Sequence, residues 1–170
     1  MRIDAGLADV GVLLEPASIV AKAWEQIDRI GGQAFFAPKV AVITGAGPIG
    51  SGVRAEVMVG CTGVSSVVLE SMKCGATDAM TCLTGVSRPG TKTPVDIGLV
   101  DRGTVLGNEV IFGSVNANRR HYAAAVKALG QADKGWLARL ITRRVAMADF
   151  AESFTRCEDD VKVVLEMKGH

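Results

Sequence analysis

The sequence predicts an α/β fold, a mainly parallel sheet with flanking helices. Three observations predict it. Short β-branched apolar runs are followed repeatedly by a small or polar turn and then by helical spacing, the pattern of parallel strands with helices on their faces. One such run, Val-Ala-Val-Ile-Thr at 40–44, leads directly into Gly45-Ala46-Gly47-Pro48-Ile49-Gly50. The chain also has 170 residues, 48% of them apolar and 22% charged, which suits one globular core and reads as globular, not disordered.

Composition excludes several classes of function. A net charge of +1 gives no reason to expect nucleic acid or an anionic membrane as partner. No apolar run approaches a membrane span. Arg2, Asp4 and Asp9 precede any long apolar stretch, so the N-terminus does not read as a secretory signal and a cytoplasmic location is expected. Cys61, Cys74, Cys82 and Cys157 show no Cys-x-x-Cys pairing and no metal spacing with His121 or His170. They read as buried free thiols.

In order, residues 1–14 alternate small and apolar side chains and read as a strand or extended segment. Glu15-Pro16 suits a first helical turn. Val20, Ala23, Trp24, Ile27 and Ile30 then fall on one helical face, and Gly31-Gly32 stops it. A strand is expected at 40–44 and another at 57–59. A serine-capped helix should follow from 65 to 74, ended by Gly75, with a strand at 79–83. The stretch 95–107 is ambiguous, leaning to a short helix-turn. A strand at 109–115, a helix from 119 to 129 ended by Gly130, one turn at 136–140, a strand at 141–145, a helix at 150–157 and a strand at 161–167 complete the chain.

The six residues from Gly45 fit G-x-G-x-x-G, whose glycines allow a tight turn, close backbone approach to a pyrophosphate, and close helix packing. The alternative is a plain glycine turn, since twenty glycines make chance matches easy. Only six residues separate Gly50 from the 57–59 strand, whereas a parallel pair needs a crossover of a dozen or more. The fold is therefore expected to be a truncated Rossmann-like one. Ligands of such sheets bind outside the carboxyl ends of the strands. Here those ends are 45–50, 61–63, 84–87 and 114–118, all small and polar.

Taken together, several stretches resemble the C-terminal part of the glucose 1-dehydrogenases of the zinc-containing, medium-chain alcohol dehydrogenase superfamily. They are Leu14-Glu15-Pro16-Ala17-Ser18, the glycine motif, Cys61-Thr62-Gly63, and Cys82-Leu83-Thr84-Gly85-Val86-Ser87. Phe112-Gly113-Ser114-Val115-Asn116-Ala117-Asn118-Arg119-Arg120-His121-Tyr122, Leu140-Ile141-Thr142-Arg143-Arg144-Val145 and Asp159-Asp160-Val161-Lys162-Val163-Val164-Leu165 follow in family order. The resemblance implies oxidation of an aldose at C1, with hydride passing to NAD or NADP. It implies Gly47, Pro48, Ile49 and Gly50 at the pyrophosphate, and Thr84, Gly85 and Val86 by the cofactor beneath the nicotinamide, with Gly45, Thr62 and Gly63 as further cofactor-binding candidates. Ser114, Val115 and Asn116 are implied at the nicotinamide end, with Asn116 also reaching the sugar. Glu15 matches a position that ligates or neighbours a catalytic zinc in some members, and a subunit contact through the strand before Ser114 makes a homo-oligomer expected.

Only fourteen residues precede Glu15, so the family's zinc-bearing catalytic domain is expected to be absent. The first helix, second strand and ribose-binding residue of the crossover are expected to be cut, which leaves nucleotide binding with impaired catalysis. The chain divides into 1–39 (lead-in segment and amphipathic helix), 40–135 (nucleotide-binding core) and 136–170 (a strand-helix-strand return). Simpler readings stand beside the sharp ones. Glu15 suits a helix N-terminus by charge alone. Asn116 serves equally as turn residue or ligand, and Asn118 reads as an N-cap. His121 reads as a surface residue, and Cys61, Cys82, Trp24 and Tyr122 as packing. Arg156 and Lys162 read either as phosphate partners or as solvated charges. A non-catalytic oligomerisation remnant is the second expectation, because a lost crossover opens a sheet edge.

Overall fold

The computed structural model describes residues 5–33, 36–45, 54–90 and 92–167. The chain forms two compact units, residues 19–117 and residues 1–18 with 118–170.

The unit of residues 19–117 holds most of α1 (Leu14–Gly31), then β1 (Ala41–Thr44), β2 (Ala55–Gly60), α2 (Ser65–Lys73), β3 (Gly75–Leu83), α3 (Ile97–Leu106) and β4 (Val110–Gly113). The four strands form one sheet in the order β1-β2-β3-β4, every neighbouring pair parallel. β2 is buried along nearly its whole length, which is why it reads as a continuous apolar run instead of an alternation. Val57 and Val59 share one face with Met80 and Cys82 of β3. Ala23 and Ile27, four residues apart on α1, cover that face, with Ile30, Phe36, Val110 and Phe112 at its margin. The helical spacing of the apolar residues thus identifies α1, but Trp24 is 46% exposed and is not a packing residue. It lies next to Ala23 around the helix, beyond the buried stripe.

Other expectations are corrected in the same unit. Gly75 does not end a helix; α2 stops at Lys73 and Gly75 opens β3. The helix start lacks the expected serine cap: Val64 occupies the N-cap, with no side-chain cap bond. The 95–107 stretch holds a ten-residue helix, because Asp96 accepts a hydrogen bond from the Leu99 N–H at 3.1 Å and nucleates it. Among the four free cysteines Cys82 is buried, Cys74 half-buried, and Cys61 and Cys157 are exposed. Cys61 lies one residue beyond β2, where the buried run has ended.

The second unit holds a 3-10 helix (Ala5–Leu13), α4 (Arg119–Gln131), α5 (Lys134–Leu140), β5 (Arg143–Ala146), a second 3-10 helix (Met147–Phe154) and β6 (Val163–Glu166), with β5 and β6 parallel. Its core joins Leu7, Val10 and Leu13 to Leu129, Leu137, Ile141 and Val164. Buried positions in the first stretch recur every three residues, the 3-10 period, so the extended segment expected there is wrong. The segment after β5 is likewise a 3-10 helix, bent at Asp149, and not an α-helix over 150–157. α4 runs through Gly130 to Gln131.

Arg143 ties this unit together. Its guanidinium grips both oxygens of Asp160 at 3.2 and 2.7 Å and also donates to the Glu152 and Thr155 carbonyls. Those bonds, then the Cys157 N–H, hold the Asp160 carboxyl below its ordinary range. A lowered folded value means stabilisation that is full above the unfolded value of about 3.9 and lost as pH falls through the folded one. Asp160→Asn is therefore expected to lower the melting temperature at pH 7 and to flatten its decline below about pH 4. Thermal unfolding against pH, followed by circular dichroism, checks this; a variant with an unchanged acid decline refutes it.

Candidate functional site: a level row of strand ends

The strand register brings four carboxyl ends into one row. Thr44 of β1 pairs with Gly60 of β2, Gly60 with Leu83 of β3, and Leu83 with Gly113 of β4. The loops beyond continue the ladder. The Cys61 N–H donates to the Thr44 carbonyl, the Thr84 and Gly85 N–H groups to the Gly60 carbonyl, and the Ser114 N–H to the Leu83 carbonyl. Thr62, Gly63, Thr84, Gly85, Val86, Ser114, Val115 and Asn116, scattered over 55 positions, therefore sit along one edge of one sheet.

Two glycines make the middle of that edge. Gly63 has φ +64°, and a Cβ there would run into the Val86 carbonyl. A Cβ on Gly85 would meet the Gly63 nitrogen and lie 2.7 and 2.8 Å from the Cys61 carbonyl carbon and oxygen. The loops after β2 and β3 thus touch backbone to backbone and leave a floor without side chains. Val86, next to this floor, is 85% exposed, an apolar side chain held out at a strand end. The Ser114 hydroxyl is buried and has no hydrogen-bond partner among the described residues, an unusual state for a buried polar atom. Behind the row, burial and then Cys61 push the Cys82 thiol up to about 11, so it stays protonated and inert.

A cavity of about 480 Å³ opens on the row, lined by Thr62, Gly63, Ser65, Val86, Arg88 and Thr93. Sequence reasoning missed Arg88; its signal was a lone cation beside a strand-end turn. Larger cavities of about 730 Å³ beside β6 and about 600 Å³ near the starts of β2 and β3 lie away from the row. The row takes precedence because parallel α/β sheets bind ligands at carboxyl ends.

Gly45 is exposed at the end of β1, while Gly47, Pro48, Ile49 and Gly50 lie outside the described residues. Glu15 and Arg156 belong to the other unit. Glu15 occupies the first turn of α1, and Arg156 is exposed. His121 is not a surface residue. It is 3% exposed, and its Nδ1 accepts the Asn118 N–H at 3.0 Å. Asn118 caps α4 in return, accepting from the Arg120 and His121 N–H groups. This reciprocal box, with histidine in the place usual for Glu or Gln, draws the imidazole inward. Among the described residues no group of three or more His, Cys, Asp or Glu side chains is placed to hold a metal ion.

A family model described as "Glucose dehydrogenase C-terminus" matches residues 8–53 and 51–167. The chain belongs to that family. Glucose 1-dehydrogenase 1 of Caldivirga maquilingensis is 30% identical over 98% of this chain and 61% of its own length, and glucose 1-dehydrogenase 2 of Vulcanisaeta moutnovskia is 28% identical over 98% and 62%. The chain thus spans about three fifths of these curated relatives. A structure of Haloferax mediterranei glucose dehydrogenase with NADP, zinc and gluconolactone covers 100% of this chain and 62% of its own, with a TM-score of 0.90 at 20% identity, a shared fold.

Family membership explains the short gap. The Caldivirga alignment runs over 216 residues, longer than this chain, and includes nearly all of it, so the relative's surplus is internal. The family match breaks at 51–53, between β1 and β2. In the doubly wound order 3-2-1-4-5-6, strands 1 and 4 are neighbours. Removing strands 2 and 3 leaves 1-4-5-6, parallel throughout with its first pair intact, which is the order seen here.

Proposed function

We propose that this chain is the nucleotide-binding part of an NAD(P)-dependent glucose 1-dehydrogenase, and that a dinucleotide lies along the carboxyl ends of β1 to β4. The level register of those four ends is the observation that carries the reading. The glycine floor at Gly63 and Gly85 gives backbone room for a phosphate or ribose, and the glycines from Gly45 to Gly50 extend it in sequence. Val86 offers an apolar face for the nicotinamide ring, and the orphaned Ser114 hydroxyl fits a polar cofactor group. Bound nicotinamide supplies the hydride acceptor. Asn116 is the residue of this row assigned to the sugar, whereas Glu15 is retained only through its match to the family and Arg156 only as a cation for a cofactor phosphate. Four free thiols suit a reducing, cytoplasmic setting.

Titration with NADPH and NADH, read by calorimetry, tests the proposal. Saturable binding of either is expected. No binding at millimolar cofactor refutes it. Aldose oxidation is a separate test, because the chain covers only part of the relatives' length.

A second reading, self-association without catalysis, is favoured by one surface. α3 has no buried residue and exposes Ile97, Leu99, Val105 and Leu106, and it leads into β4. Such an apolar helix suits a contact between copies of the chain. Sedimentation showing a monomer at high concentration removes this reading and leaves cofactor binding untouched.

A further inference from the structure

The structure assigns Lys22 as a positioning residue for the nicotinamide-side loop, an inference that rests on the cofactor reading above. Lys22 lies on α1, 93 positions before its partner, and its ammonium donates to the Val115 carbonyl at 2.6 Å. The helix is a firm anchor. Ala23, the next residue, is 1% exposed, and Ile27 is 2% exposed against β2 and β3. The Ser114 N–H makes the last ladder bond of the row, and the chain then turns through Asn116 at φ +62°. Asparagine adopts that left-handed conformation more readily than other residues with a side chain, and a bond from outside the turn fixes it in place. The charge-assisted bond from Lys22 is such a constraint.

The trans peptide unit adds the consequence. A carbonyl and the following N–H point in opposite directions across a planar bond. With the Val115 carbonyl held toward α1, the Asn116 N–H is turned away from that helix. Neither that N–H nor the Ser114 hydroxyl has a hydrogen-bond partner among the described residues. Lys22 therefore holds the Asn116 N–H in a fixed orientation without itself touching the ligand. A carboxamide, with a carbonyl to accept it, is the chemistry that this N–H suits.

The test compares Lys22→Met and Lys22→Arg in the whole chain against two probes. One is NADPH; the other is 2′-phospho-ADP-ribose, which lacks the nicotinamide (NADH and ADP-ribose serve if the chain prefers NAD). Lys22→Met is expected to weaken NADPH about tenfold, the loss of one charge-assisted constraint, and to leave the shortened probe within about twofold. Lys22→Arg should recover most of the difference. Amide exchange over 114–116 should quicken in Lys22→Met without ligand. Equal weakening of both probes, or no weakening of either, overturns the assignment while leaving cofactor binding in place. An unsubstituted chain that binds neither probe overturns the cofactor reading and this assignment together.

Discussion

Gly85→Ala is expected to destabilise the chain by about 1–3 kcal/mol, the usual cost of overpacking, and to abolish saturable cofactor binding. The added Cβ would meet backbone on both sides of the turn after β2, the Gly63 nitrogen and the Cys61 carbonyl group. A flexible side chain could swing aside; main chain in a ladder cannot. The loops must part, and the bonds from the Thr84 and Gly85 N–H groups to the Gly60 carbonyl, 2.8 and 3.0 Å long, are the first to lengthen. Gly63 cannot yield either, because its own left-handed φ depends on lacking a side chain. Denaturant unfolding gives the first number and calorimetry with NADPH the second. Gly130→Ala is the control of opposite sign. It adds a Cβ into open space on α4 and gains helix propensity of up to about 1 kcal/mol. A Gly85→Ala chain as stable as the parent and still binding cofactor would show that the two loops do not form the floor of the site.

Such a floor could not be read from the glycines alone. The strands were legible because β-branched runs ended at small residues, and α1 because its apolar residues repeat with the helical period. The strand-end residues were assigned to one edge from the predicted parallel sheet, and the register made that edge level. Illegible features depend on contacts across long sequence separations or on unusual periods. Leu7, Val10 and Leu13 are interleaved with Ala8, Gly11 and Val12, which mimics an alternating pattern, yet the buried positions have a period of three. His121 looked like a surface group until its Nδ1 became part of a cap. The Lys22 bond to Val115 joins residues that no local pattern relates. The short gap after Gly50 was legible as a conflict, and its resolution required the strand order. Strands 1 and 4 of a doubly wound sheet are already neighbours, so excising the strands between them removes an outer half without unpairing the rest.

β2 is the most deeply buried strand of the sheet, and Met58→Ala there is expected to cost about 2–5 kcal/mol, the range for emptying a core site of this size. Met58 is wholly buried. It stands between Val42 of β1 and Thr81 of β3 in the register, in the strand that joins the edge strand to the rest of the sheet. By alternation it points to the face opposite Val57 and Val59, so α1 cannot close over the space a truncated side chain would leave. Partial relaxation leaves a cavity, and both transfer and cavity terms are lost. Met58→Leu, which keeps most of the volume, should cost less than about 1.5 kcal/mol. Ile43→Ala, on β1 at a residue 68% exposed, should fall within about 0.5 kcal/mol of the parent. Urea unfolding of the three variants orders them. If Ile43→Ala proved as damaging as Met58→Ala, the face of β1 that carries Ile43 would have to be covered in solution.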